Sequence, residues 1–184
     1  NMFRQIAKFF AFKVFKFSLE GVFPKDPKFV IAVVPHTSNW DFFVAIGVRT
    51  FLKEPIHFVG KKELFTPLTS RFFKNLGGMP LNRKKNENVV EAITRMYGEE
   101  EVFRMAIAPE GTRKKVSEWK TGFYYIAKNA GVPILPIALD WENRLMKFHP
   151  LFTPTEDKEK DFSYLENLFK GVVGKIPKYT RTIR

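Results

Sequence analysis

Two hydrophobic periods take turns along this chain. From Phe29 to Val34 the residues FVIAVV are all apolar and stop at Pro35-His36, as in a short strand covered on both faces. Directly beyond, FFVAIGVRTFL (residues 42–52) has helical length and spacing. The pairing recurs. IHFVGKKELF (56–65) predicts a strand leaving into a basic turn, and FTPLTSRFFKNLG (65–77) a helix stopped by Gly77-Gly78. MPLNR (79–83) predicts a short extended piece. NENVVEAITRMYGEEE (86–101) predicts a helix capped by Asn86 or Asn88. FRMAIAPEG (103–111) reads as a strand into a turn, GFYYIAKNAG (122–131) as a helix ended by Gly131, and VPILPIALDW (132–141) as a strand. TEDKEKD (155–161) predicts a surface loop, and FSYLENLFKGVVGKI (162–176) a last helix. Strands alternating with helices imply an α/β single domain with a mostly parallel, covered sheet flanked by helices. In such sheets ligands sit beyond the C-terminal ends of strands, where His36 and Glu110 fall.

The first segment, NMFRQIAKFFAFKVFKF, has a different pattern. Phe3, Phe10 and Phe17 recur every seven residues, Ile6, Phe9 and Val14 sit beside that stripe, and Lys8, Lys13 and Lys16 interrupt it. This predicts a basic amphipathic helix, lying either in a membrane interface or against the domain. Residues 1–20 are accordingly set apart from a domain spanning 21–184.

Length and composition narrow the chemistry. A chain of 184 residues, 45% hydrophobic, suits one domain with a proper core. With no cysteine, disulfides, a cysteine nucleophile and thiolate metal sites are excluded. Three histidines, His36, His57 and His149, give no basis for expecting a histidine-built metal centre. His57 lies in an apolar run and reads as a core residue, His149 as structural or exposed. The net charge of +12 favours polyanionic partners: nucleic acid, anionic lipid surfaces or phosphorylated substrates. Twenty-one phenylalanines against 5 tyrosines point to deep burial or contact with lipid chains. No apolar run reaches the ~18 residues of a membrane-spanning helix, so a membrane is expected to be met from its surface. The tail, with Lys170, Lys175, Lys178, Arg181 and Arg184, adds basic character.

Three stretches carry chemistry. In PHTSNWD, Pro35 turns Val34 away from helical geometry and Ser38 or Asn39 caps the helix that follows. His36 at the strand end and Asp41 in the helix's first turn then point into one crevice. A carboxylate on one imidazole nitrogen fixes the tautomer and leaves the other to take a proton from a hydroxyl. Read locally, the same residues also suit a plain helix cap. In APEGTRKK, Gly111 allows a tight turn, Thr112 offers a hydroxyl, Arg113 presents a fork to an oxyanion, and Glu110 is placed to hold that fork. An ordinary surface turn is the alternative. In GGMPLNRKK, Arg83, Lys84 and Lys85 form a cationic cluster, as Lys61 and Lys62 do elsewhere. Trp119 and Lys120 either line the site or pack. Backbone N–H groups near Thr37 and Ser38 are candidates for a developing oxyanion.

The order H-x4-D (His36 to Asp41), a glycine-led segment ending in arginine (Gly78 to Arg83), P-E-G-T-R (Pro109 to Arg113) and V-P-I-x-P (Val132 to Pro136) resembles the glycerolipid acyltransferases, and within them the 1-acylglycerol-3-phosphate acyltransferase group. It departs from the common pattern at Pro35 and at Met79-Pro80-Leu81-Asn82. The resemblance implies that His36 is the general base and Asp41 its orienting partner. It implies that Arg83, Glu110, Gly111, Thr112 and Arg113 bind the acceptor's phosphate. Val132, Pro133, Ile134 and Pro136 are implied to shape an acyl or acceptor pocket. The implied donor is acyl-CoA or acyl carrier protein, used as a substrate; no bound cofactor and no metal is expected. The expected partners are a lysophospholipid-type acceptor and an anionic membrane surface on its cytoplasmic face, with the protein peripheral and no nucleic acid expected. The competing readings are the same family on a different hydroxyl acceptor, a thioester hydrolase, and a basic nucleic-acid-binding module.

Overall fold

In a computed structural model, residues 1–183 are described; Arg184 of the basic tail lies outside them. The centre of the molecule is β2 (Lys28–Val34), flanked in parallel by β5 (Phe103–Ile107) and β6 (Ile134–Asp140). A short antiparallel strand, β7 (Leu145–Phe148), lies on β6, and β1 (Ser18–Glu20) pairs with β7, giving the order β1-β7-β6-β2-β5. On the other side β3 (Phe58–Lys61) and β4 (Gly78–Leu81) form a parallel pair. His57 ties that pair to β5: its N–H donates to Arg104 O at 2.8 Å, and its carbonyl accepts from Ala106 N at 2.8 Å.

The continuous apolar run in β2 has the anticipated cause. Val30, Ala32 and Val34 face one layer, with Ile93, Met96 and Tyr97 of α4 (Val89–Glu99), Phe123, Tyr124 and Ile126 of α5 (Gly122–Ala130) and Leu165 of α6 (Lys158–Asn167). Phe29 and Ile31 face the other, with Val44 and Val48 of α2 (Asn39–Leu52) and Ala11 and Phe17 from the N-terminal segment. Ser38 caps α2, Asn88 caps α4, and Gly131, at φ +66°, ends α5.

Residues 1–20 pack against the rest of the chain. α1 (Met2–Phe9) runs into a π-helical turn (Phe10–Val14), and Ala7 and Ala11 lie so close to Gly47 of α2 that a Cβ there would stand 2.5 Å from Ala7 O and 2.8 Å from the Ala11 Cβ. Phe17 enters the core and Ser18–Glu20 supplies an edge strand. The segment still leaves Met2 80% and Phe9 57% exposed. One face of this helix packs on the domain, and another stays exposed.

Three other stretches differ from the sequence pattern. The helix expected over 65–77 is confined to α3 (Ser70–Asn75), preceded by turns in which Thr69 Oγ1 donates to Leu64 O at 2.6 Å. TEDKEKD is not a loop throughout, because Asp157 caps α6 and Lys158–Asp161 form its first turn. That helix ends at Asn167, and the residues beyond it turn back across the sheet's C-terminal edge.

Candidate active site

The site begins where β2 ends. His36 leaves the strand, Ser38 is extended at φ −150° and accepts from Trp40 N through its Oγ, and Asp41 falls in the first turn of α2. Five residues apart, the two side chains meet: His36 Nδ1 lies 3.0 Å from Asp41 Oδ2. The same oxygen accepts from Thr37 N at 2.8 Å and Ser38 N at 3.0 Å. Oδ1 accepts from the Trp141 indole Nε1 at 2.7 Å. Asp41 is only 4% exposed, so four donors stand in for the water it has lost. A carboxylate can only accept; Nδ1 must therefore carry its proton toward Asp41, leaving Nε2 with a lone pair. The His36 side chain remains 29% exposed. The arrangement can take a proton from a hydroxyl and hold the resulting positive charge beside Asp41. The N–H groups of Thr37 and Ser38, candidates for an oxyanion, point instead at Asp41.

The turn after β5 packs against this one. Glu110 is 4% exposed; its Oε1 accepts from the His36 backbone N–H at 3.3 Å, and its Oε2 has no partner. Burial pushes its carboxyl up to about 7, against smaller opposing effects from backbone N–H groups. Glu110 thus does not hold the Arg113 fork, as the sequence suggested; Arg113 donates to Asn39 Oδ1. Gly111 sits at φ +65° with the Lys120 side chain within 3.1 Å of where a Cβ would stand, so Lys120 reaches the turn. Trp119 is buried against Phe123 and Phe169 and belongs to the core. Thr37, Ser38, Asn39, Thr112, Arg113, Lys114, Ile176 and Tyr179 line an open cleft of ≈ 380 Å³.

Arg83 is exposed, two residues past the end of β4. Ala32 is level with Ile107, His57 with Met105, and Lys61 with Leu81. Through these pairings β4 stands three strands from β2, and Arg83 follows the end of β4 at Leu81. The structure does not bring Val132, Pro133, Ile134 and Pro136 to the edge where His36 lies. Ile134 is level with Val30 and Pro136 with Ala32, so the four lie just before β6 and in its first half. Val132 and Ile134 are core residues, and Pro133 O accepts from Val30 N. Their apolar character serves packing, which accounts for the motif without a pocket.

Sequence reading missed a strap. Residues 173–180 cross the His36 turn: Ile176 N donates to Thr37 Oγ1 at 3.1 Å, and Trp141 N donates to Val173 O at 2.9 Å. Gly174 lies where a Cβ would meet Thr37 at 2.7 Å. The legible signal was the glycine pair Gly171 and Gly174 inside an expected helix. His57 is held low, to about 4, by burial and then by Arg49 and Arg104, and burial also lowers His149; both lie away from this cleft. Among the described residues no cluster of three histidine, aspartate or glutamate side chains suits a metal ion, and no helix is long and apolar enough to cross a membrane.

Comparison with known proteins bears on this geometry. An acyltransferase family model matches residues 16–140. A probable 1-acyl-sn-glycerol-3-phosphate acyltransferase of Mycoplasma genitalium is 32% identical over 126 residues, covering 65% of this chain and 46% of that protein. The 1-acyl-sn-glycerol-3-phosphate acyltransferase of Escherichia coli K12 is 28% identical over 148 residues, 76% of this chain and 57% of its own. This chain spans about half the length of such relatives. The crystal structure of the 1-acyl-sn-glycerophosphate acyltransferase of Thermotoga maritima has the same fold, with a TM-score of 0.63 at 22% identity over 90% of this chain and 76% of that one.

Proposed function

The chain belongs to the acyltransferase family, and on that footing we propose that it moves a fatty acyl group from acyl-CoA or acyl carrier protein to the hydroxyl of a lysophospholipid-type acceptor, 1-acylglycerol-3-phosphate first. The observation that carries this reading is the His36–Asp41 pair, locked by a 3.0 Å contact at one nitrogen and open at the other. Nε2 of His36 takes the proton of the acceptor hydroxyl as its oxygen attacks the thioester carbonyl. The carbon–sulfur bond then breaks, and the departing thiolate recovers the proton from the imidazolium. No covalent enzyme intermediate is needed, since holding two substrates at one edge supplies the rate advantage of proximity.

Arg113, Thr112 and Lys114 beside the cleft, with Arg83 two residues past the end of β4, are the proposed hold on the acceptor's phosphate. The exposed Met2, Ile6 and Phe9, with Arg4, Lys8 and Lys13, support a peripheral place on the cytoplasmic face of an anionic membrane. The test is thiol release from palmitoyl-CoA with lysophosphatidate in mixed micelles, parent against His36→Ala, repeated with acyl carrier protein as donor. Acceptor-dependent release that disappears in the folded variant is the expected result. Release that ignores the acceptor would make the protein a hydrolase, and release that ignores the substitution would remove His36 from the reaction.

A further inference from the structure

Asp41 is held from two directions, and one of them comes from a residue outside the four blocks that carry the family resemblance. Its Oδ2 gathers three donors from its own turn. Its Oδ1 has one, the indole N–H of Trp141, 100 residues further along the chain and 2.7 Å away. Trp141 follows β6, the neighbour of β2, so it stands on the same sheet edge as His36. A carboxylate with donors crowded on one oxygen and none on the other is free to turn about its last bond and share them. The indole N–H removes that freedom by filling the second oxygen.

The indole is itself tightly seated. Phe17 meets it edge-on at 4.9 Å between ring centroids and Phe15 at 5.2 Å. Lys175 Nζ stands 4.7 Å over the ring and the Arg144 guanidinium 5.2 Å. Phe15 also packs on Trp40, the residue before Asp41, at 5.3 Å. The N-terminal segment and the C-terminal strap therefore close on one ring, and that ring bonds to the dyad carboxylate. Its surroundings are those of a core residue, but a core tryptophan needs only some acceptor for its N–H. Here the acceptor is the buried carboxylate that orients the histidine.

We propose that Trp141 is a positioning residue for the His36–Asp41 pair, seated by Phe15 and Phe17 so that the N-terminal segment holds the histidine's tautomer in place. This rests on the reading of His36 as the base. The experiment replaces Trp141 by 3-benzothienylalanine, which keeps the ring's shape and puts sulfur where the N–H was, and in parallel makes Trp141→Phe and Phe17→Leu. Two readouts are taken. In steady-state kinetics, kcat falls about 10- to 100-fold in the benzothienyl and phenylalanine variants with both KM values within twofold of the parent, the rate equivalent of one hydrogen bond to a charged group. Phe17→Leu, which keeps the donor and loosens its seat, falls by less. In nitrogen NMR of ¹⁵N-histidine-labelled protein, the two ring nitrogens of His36 are well separated in the parent and move toward each other in the variants.

The NMR readout needs no substrate. Should the parent turn nothing over, the proposed function fails while the spectra still decide this proposal. The isostere leaves packing intact, so misfolding of Trp141→Phe does not protect the idea. Nitrogen shifts unchanged in the benzothienyl variant would overturn it. So would a fall in kcat without any change in those shifts, because Trp141 would then act through packing alone.

Discussion

Glu110→Gln should make the protein more stable at alkaline pH and leave it little changed in acid. In the folded chain the Glu110 carboxyl titrates at about 7 instead of 4.5, because burial penalises its charged form. Between those values the folded chain keeps a proton that the unfolded chain has already released. Raising the pH through this window therefore costs stability. At about 1.4 kcal/mol for each tenfold change in proton affinity, the interval from 4.5 to about 7 corresponds to about 3 kcal/mol, complete by pH 8. Glutamine keeps an acceptor for the His36 N–H and carries no charge, so it escapes this loss. The parent's own curve will hide part of the effect. His57, held neutral down to about 4, makes the folded chain lose stability as pH falls below 6.5, the opposite slope. The quantity to measure is the variant-minus-parent difference in unfolding free energy, by urea denaturation at several values from pH 4.5 to 8. His57 cancels in that difference. It should rise by about 3 kcal/mol toward pH 8, or by roughly 6–12 °C in Tm for a domain of this size. A difference that does not change with pH would mean that Glu110 ionises like an exposed carboxylate, and the account of its buried, unpartnered oxygen would be wrong.

Other predictions concern packing. Gly47→Ala should destabilise despite alanine's ~1 kcal/mol helical advantage, because its Cβ meets the Ala7 carbonyl at 2.5 Å and overpacking costs ~1–3 kcal/mol. Thermal denaturation and faster proteolysis of the N-terminal segment would show it. Tyr124→Phe removes one of three donors to the buried Asp161, the others being Thr155 N and Oγ1. It should cost about 1–2 kcal/mol in urea denaturation and leave activity unchanged. Gly174→Ala drives a Cβ into Thr37 at 2.7 Å, beside His36, the proposed base. A displacement of even 1 Å there should lower kcat by up to ~100-fold, measured against a Tm within a few degrees of the parent.

How much of this was legible depends on distance along the chain. The His36–Asp41 contact spans five residues, and a proline, a serine cap and the start of an apolar helical run were enough to place both groups in one crevice. The strands β2, β5 and β6 and the helices α2, α4 and α5 were equally readable, since each has an apolar period long enough to exceed its own polar interruptions. β7 and β1, four and three residues long, have no period to read; β7 forms on the edge of β6, and β1 on the edge of β7. Asp161 looked solvated within TEDKEKD because its partners, Thr155 and Tyr124, reach it only through a turn and across a helix interface. Local chemistry also misassigned partners: Glu110 was given to Arg113, three residues away, and tertiary packing gives it to His36, 74 residues away. By itself the sequence determined the alternation of elements and the residue types at the strand ends, because periodicity and turn chemistry are local. Only the tertiary structure decided that Trp141 reaches Asp41, what closes over the His36 turn and which apolar motif stays in the core, because those depend on sheet register and on contacts between residues far apart in the chain.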